Sequence, residues 1–422
     1  MQSELYRAYV NILHEELLTA MGCTEPIAIA YAAALAREAL GALPKRMHIL
    51  VSGNIVKNVK SVIVPHTGGM KGISAAAAAG AVAGRAAEKL EALSRVTQAQ
   101  LKEIAEYLKT AELLVEESDR GCVFDIEIRA YRDGHSSMVH ISGHHTDVVR
   151  IEKDGGALLC RDAAGNETPC LTDRGLLNVE SIVSFADEAD LADVRALLKR
   201  QIELNTAIAE EGIRGDYGAR IGKIMLASFG SGVTNRAKAM AAAGSDARMS
   251  GCELPVVINS GSGNQGITAS LPVIVYAREL QKDEDALLRA LVVSNLITIH
   301  LKTGIGRLSA YCGVVSAGCG AGAGVMYLHG GGREEIAHTV VNALAINSGI
   351  ICDGAKASCA AKIVSSVEAG LLGMYMYMHK SEFLDGDGIV VKGVESTIKN
   401  VGELAREGMR ETDKKIISLM LR

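Results

Sequence analysis

Apolar residues recur at helical spacing from residue 4 to residue 42, break at Gly22 to Pro26, and close at Gly41 and Pro44. That pattern predicts a helix pair or one interrupted helix. Residues 47–64 (MHILVSGNIVKNVKSVIV) are rich in Val and Ile and split by Gly53-Asn54, which predicts two strands and a turn. An Ala-rich helix over Ile73 to Leu93 follows, and another near Gln98 to Leu108. From Ala111 to about Leu171 the period changes to two. LLVEES, CVFDIEIRAY and SSMVHISGHH alternate apolar with polar residues, with turns at Asp133-Gly134 and Asp154-Gly155. This is the pattern of a half-buried antiparallel sheet. Beyond residue 176 strand signals nearly vanish, leaving helices over 187–212, 219–243, 268–280, 283–300, 334–347, 358–371 and 401–420 with glycine-rich interruptions. The expectation is an α+β protein. Residues 1–175 hold a small antiparallel sheet, residues 176–422 a mostly helical domain, and the leading helices are free to pack on the latter.

Composition narrows the function. The 422 residues are 48% apolar and 22% charged, enough for two cores at about 100–200 residues per domain. A net charge of −5 gives no basic field for nucleic acid, and the absence of Trp with only four Phe removes the usual base-stacking platforms. The start, MQSELYRAYVNILHEELL, lacks the basic-then-apolar order of an export signal. Leu308 to Leu328 is uncharged, but Gly, Ala and Ser dominate it, so a membrane span is not expected. Nine cysteines are too few for a disulfide scaffold. The expectation is a cytoplasmic protein with reduced thiols, acting on a small molecule and able to form a homodimer.

Six segments interrupt the helical pattern with residues that helices do not need: GCTEP from Gly22, GNIVKN from Gly53, PHTGGMKG from Pro65, NSGSGNQG from Asn259, SAYCG from Ser309 and ICDGAK from Ile351. Glycines at a helix start let backbone N–H groups approach an anion, and the helix dipole adds partial positive charge. The loops at 67–72 and 259–266 read as carboxylate or phosphate cradles, or else as tight turns. Cys122, Cys160, Cys170 and Cys252 read as packing residues. Cys23, Cys312 and Cys352 differ, each lying in a glycine-containing break beside polar residues. Cys319 and Cys359 follow the latter two by seven residues, two helical turns. With no C-x-x-C pair, a closed zinc site is disfavoured.

These six motifs, in this order over nearly the whole chain, resemble the iron–sulfur L-cysteine desulfidases, relatives of the α chain of bacterial iron–sulfur L-serine dehydratases. The resemblance implies a [4Fe–4S] cluster held by Cys23, Cys312 and Cys352. The short gap from Cys352 to Cys359 departs from the serine dehydratases, which sets Cys359 aside as a ligand and favours the desulfidase branch. Three thiolates leave one iron open, a Lewis acid for the departing β-sulfur of cysteine. The implied reaction turns L-cysteine into pyruvate, ammonia and sulfide. Serine dehydration and a non-enzymatic iron–sulfur sensor are the alternatives.

Removing the substrate's α-proton needs a base. His66 is the first candidate, beside the cradle of Thr67, Gly68 and Gly69, although it can equally cap the following helix. Lys71 is either a base with a lowered pKa or a carboxylate clamp. Glu25 suits the substrate ammonium; Asn54, Asn58, Asn264 and Gln265, with Ser260 and Ser262, complete the expected binding set. His135, His144 and His145 read as surface residues. A pyridoxal-phosphate lyase, suggested by Ser262-Gly263-Asn264-Gln265-Gly266, needs strands alternating with helices throughout, which the second half lacks.

Overall fold

The computed structural model describes residues 2–21, 24–122, 124–143, 145–161, 172–306 and 309–421. The chain is α+β. Helix α1 (Ser3–Glu16), strand β1 (Thr19–Met21), helix α2 (Thr24–Leu40), strand β2 (Arg46–Val51) and helix α3 (Gly53–Val59) open it. The Ala-rich α4 (Gly72–Ala83), α5 (Gln98–Thr110) and strands β3 (Glu112–Glu117), β4 (Asp125–Arg132), β5 (His135–Ser142), β6 (Val148–Lys153) and β7 (Gly156–Cys160) follow.

The sheet runs β3-β2-β4-β5-β6-β7. It is mixed rather than purely antiparallel, because β2 and β3 pair in parallel, from Arg46 opposite Glu112 to Val51 opposite Glu117. The helices between them supply the crossover that a parallel pair requires. Met47, Ile49, Ile126, Ile128, Val139 and Ile141 turn one face onto α2 and α4. Those two helices cross closely enough that a side chain on Gly80 would strike the Ala30 carbonyl.

The expected second strand in 47–64 is instead α3. Ser52 is extended and accepts the amide of Val56, starting the turn. Ile55, Val56 and Val59 are buried at helical spacing. Burial on a helix face overrides the strand propensity of the β-branched residues.

The second half comprises α6 (Val179–Glu188), α7 (Arg195–Arg214), α8 (Ile221–Phe229), α9 (Val233–Met249), β8 (Pro255–Val257), α10 (Gly263–Glu279), α11 (Glu284–Ile305), α12 (Val314–Leu328), α13 (Arg333–Ile346), α14 (Cys359–Met378), α15 (Val394–Glu403) and α16 (Arg410–Leu421). Helix α1 joins this half's apolar core through Tyr9, Ile12, Leu13 and Leu17, and β1 pairs antiparallel with β8. Among the described residues, α11 alone is long and apolar enough to cross a membrane, but two-thirds of its apolar window is buried against neighbouring helices. The uncharged 308–328 stretch contains α12, a core helix whose glycines admit close crossings. A Cβ on Gly318 would lie 2.2 Å from the Ser366 carbonyl oxygen of α14.

Candidate active site

Seven residues of α3 bring distant breaks together. Asn58 Nδ2 donates to Glu25 Oε1 at 3.3 Å, docking the start of α2. Lys57 Nζ donates to the Ser309 carbonyl at 3.2 Å and to Asp413 Oδ1 at 2.5 Å. The Lys57 carbonyl accepts the Ala355 amide at 3.0 Å. Gly354 lies so close to that carbonyl, with φ +92°, that a Cβ would stand 2.0 Å from the oxygen. Thus α3 touches GCTEP through Glu25, SAYCG through Ser309 and ICDGAK through Gly354 and Ala355.

The last two segments also pair with each other. Tyr311 and Ile351 form an antiparallel bridge, with Cys312 N to the Ile350 carbonyl at 2.8 Å and Cys352 N to the Ala310 carbonyl at 2.6 Å. The bridge sets the Cys312 and Cys352 side chains together, and their thiols hydrogen-bond. The hydrogen bond with Cys312 and the charges of Lys57 and Lys362 hold the Cys352 thiol below its ordinary pKa, against its burial; the same hydrogen bond and burial push Cys312 up. Lys302 on α11 is half-buried and lies within electrostatic range of both sulfurs. Lys362 reaches back to the Ile351 carbonyl at 2.7 Å. Cys312 is buried and Cys352 half-buried, with Lys57, Lys302 and Lys362 in electrostatic range, Lys57 and Lys362 being ion-paired with Asp413 and Asp353.

The glycine loop reaches the Cys312 segment through Gln265. Asn259 and Ser262 exchange two backbone hydrogen bonds, and the Ser262 hydroxyl caps α10 by accepting the Gln265 amide at 3.5 Å. Ser260, at φ +49°, donates to Asn259 Oδ1 at 2.9 Å. Gln265 lies against Gly313, the residue after Cys312, so closely that a Cβ there would sit 2.6 Å from its amide carbon. Its Oε1 is buried with no hydrogen-bond partner among the described residues. Arg248, at the end of α9, packs on Gly263 and donates to Asn264 Oδ1 at 3.5 Å. Arg248 lies in the last turn of α9, where the helix dipole favours a cation, and so brings a guanidinium to the start of α10.

His66 stands at the head of its loop with φ +58°, its Nδ1 3.1 Å from Glu253 Oε1. Glu253 lies just before β8, so the PHTGGMKG loop rests on the segment that leads into the glycine loop. Thr67 is buried and donates to the Val64 carbonyl at 2.7 Å. Gly68, Gly69 and Lys71 are exposed, and Lys71 precedes α4 in an extended conformation. Asn54 is half-buried in the first turn of α3.

Several site residues escaped the sequence reading. His145 was expected on the surface, yet it is half-buried with Nε2 2.9 Å from Thr24 Oγ1, at the start of α2. His135 is exposed and pairs with Asp154, while His144 lies outside the described residues. Lys57, Arg248, Glu253 and Lys302 carried no spacing signal. Of the remaining cysteines, Cys319 is buried inside α12, Cys359 at the start of α14 and Cys252 before β8, whereas Cys122 and Cys160, expected to pack in the interior, are exposed. Cys23 and Cys170 lie outside the described residues.

Cys312 and Cys352 fit an iron–sulfur group in donor chemistry, since neighbouring cysteine sulfurs suit iron once deprotonated and the surrounding lysines would offset negative charge there. Among the described residues no set of three metal donors converges.

A family model described as serine dehydratase alpha chain matches residues 87–418, a span that includes both paired cysteines and the glycine loop. A UPF0597 protein of Desulfitobacterium hafniense is 58% identical over 420 residues, covering 100% of this chain and 98% of that one. UPF0597 proteins of Lachnoclostridium phytofermentans (49% identical, 99% of this chain and 100% of the relative) and Finegoldia magna (46%, 98% and 99%) extend the likeness. Those names assign no activity. The chain belongs to the serine dehydratase α-chain family, whose members are dehydratase-type lyases generally dependent on iron–sulfur clusters.

Proposed function

We propose that this chain eliminates the β-substituent of a small L-amino acid, with L-cysteine as its substrate. The observation that carries the reading is the Cys312–Cys352 pair, one buried and one half-buried, joined to a glycine-rich helix start through Gln265 and Gly313. Cys23, Cys312 and Cys352 would hold the [4Fe–4S] cluster, which supplies a Lewis-acidic iron for the departing sulfur.

The chain's own residues do the rest. The α10 amides and Arg248 bind the substrate carboxylate where the helix dipole and guanidinium reinforce each other. Glu25 takes the ammonium, and the Gln265 Oε1, buried against Gly313 without a hydrogen-bond partner among the described residues, offers a further acceptor near Cys312. Glu253 accepts the Nδ1 proton of His66, which leaves Nε2 to receive the α-proton. The Cα–H bond and the Cβ–S bond both break, sulfide leaves, and the aminoacrylate released takes up water to give pyruvate and ammonia. Lys71 remains a carboxylate clamp from the exposed side of the His66 loop.

Serine dehydration is the second reading, favoured by the matching family's description. Hydroxide is the poorer leaving group, so the two readings separate kinetically. After anaerobic reconstitution with iron and sulfide, the protein should show a broad cluster absorption and release sulfide and pyruvate from L-cysteine faster than pyruvate from L-serine. Turnover of L-serine alone would establish the second reading. A cluster without turnover of either amino acid would leave a sensor.

A further inference from the structure

The Lys57–Asp413 ion pair joins α16, the last helix of the described chain, to a residue 356 positions away. The two side chains are only 8% and 17% exposed. Desolvating both charges costs about what their attraction returns, so a buried pair of this kind is weak evidence for stability and better evidence for fixing an arrangement. What it fixes is visible in the rest of Lys57. The same ammonium holds the Ser309 carbonyl at the entrance to the Cys312 loop, and the same residue's carbonyl holds Ala355 in the Cys352 loop.

The C-terminal segment grips the Cys312 loop a second time, because Ser309 Oγ donates to the Ala405 carbonyl at 2.6 Å and accepts the Tyr311 amide at 3.0 Å. Helix α16 buries little, Ile416 and Ile417 among its side chains, and Ile417 presses on Gly53 at the first turn of α3. A helix so lightly packed places one carboxylate on the residue that bridges both cysteine loops.

We propose that Lys57 and Asp413 are positioning residues: the pair lets the C-terminal helix clamp the Cys312 and Cys352 loops in the arrangement that receives the cluster. The clamp itself is independent of the reaction assigned above; only its consequence for iron loading rests on that reading.

The test uses the full-length protein without metal. Modification of each thiol by an aromatic disulfide reagent is followed by mass spectrometry in the wild type, Asp413→Asn, Asp413→Glu and Ile417→Ala. Cys122 and Cys160 are exposed references, and Cys319 inside α12 reports general loosening. Asp413→Asn should speed modification of both Cys312 and Cys352 about tenfold or more, with Cys319 unchanged, because the loops open locally. Asp413→Glu should restore most of the protection, and Ile417→Ala should leave most of it in place. Iron bound on anaerobic reconstitution should fall in Asp413→Asn and recover in Asp413→Glu. Unchanged rates, acceleration at Cys352 alone, or acceleration that Cys319 shares would overturn the clamp. Failure of the wild type to take up iron would refute the cluster reading while leaving the thiol result to judge the clamp.

Discussion

Cys312 and Cys319 are seven residues apart and both buried, yet their surroundings have little in common. Cys312 lies in a loop stapled by a β-bridge, shares a hydrogen bond with Cys352, and has Lys302 and Lys362 within electrostatic range. Cys319 sits on α12 among close-packed helices, where burial pushes its thiol up to about 12. In the first environment the Cys312 thiol is itself pushed up but sits beside Cys352, whose thiol is held below its ordinary value, so one of the pair is ready to ionise. The second keeps a neutral thiol that behaves as a small apolar side chain. Chemistry in this molecule gathers where regular structure stops, and the glycine-rich helices between the breaks serve packing.

The strongest way to sharpen the contrast is to remove a loop sulfur. Cys312→Ser and Cys352→Ser should each lower elimination activity at least about a thousandfold, since a missing ligand removes Lewis-acid stabilisation of several kcal/mol. Circular dichroism should show the helical content intact.

The next effect falls on the proton path. His66→Gln should lower kcat by about 10²- to 10⁴-fold, and Glu253→Gln by about tenfold to a hundredfold, with iron content unchanged in both. If Glu253→Gln raises KM with kcat unchanged, the carboxylate serves binding rather than the base. His145 would then be the next histidine to replace.

In the packing region the readout becomes stability. Gly318→Ala places a methyl group 2.2 Å from the Ser366 carbonyl oxygen, so α12 and α14 must separate. A loss of about 2–3 kcal/mol in denaturant unfolding is expected. An unaltered midpoint would mean that the crossing is looser than the structure has it.

A smaller effect tests a buried charge away from the cysteines. Asp246 on α9 accepts the Gly222 amide at 3.1 Å, has a second oxygen without a hydrogen-bond partner among the described residues, and is raised to about 6 by burial. A carboxyl that titrates higher in the folded than in the unfolded state holds its proton better when folded. Stability should therefore fall as pH rises from about 4 to 6, by about 1–2 kcal/mol. Asp246→Asn should flatten that slope in urea titrations across the window.

Much of this arrangement was legible in the sequence. Periodicity located the sheet and most of the helices, although it missed α6, ran α8 and α9 together and carried α4 ten residues too far. Glycine with polar residues marked the breaks, three of which touch α3. Helix α3 itself was not legible, because Ile55, Val56 and Val59 favour a strand until their burial on a helix face is known. The parallel pairing of β2 with β3 escaped for a related reason: alternation reports which face is buried, not the direction of the neighbour. Helix α12 read only as an uncharged Gly- and Ala-rich run. Its glycines disfavour a helix locally and are repaid by close approach to α14. Lys57, Asp413, Arg248 and Glu253 have ordinary neighbours in the chain, and their roles exist only in the contacts they make. His145 looked like a surface residue because a polar turn conceals the reach of its ring to Thr24.

The most direct test is iron and acid-labile sulfide per chain after anaerobic reconstitution of four proteins: wild type, Cys312→Ser, Cys352→Ser and Cys319→Ser. The wild type and Cys319→Ser should load alike, with Cys319→Ser losing only about 1–2 kcal/mol of stability, while the two loop variants retain little iron. Full loading of Cys312→Ser and Cys352→Ser, or loss of iron from Cys319→Ser with the loop variants unaffected, would contradict the assignment of the paired thiols as the metal-binding site.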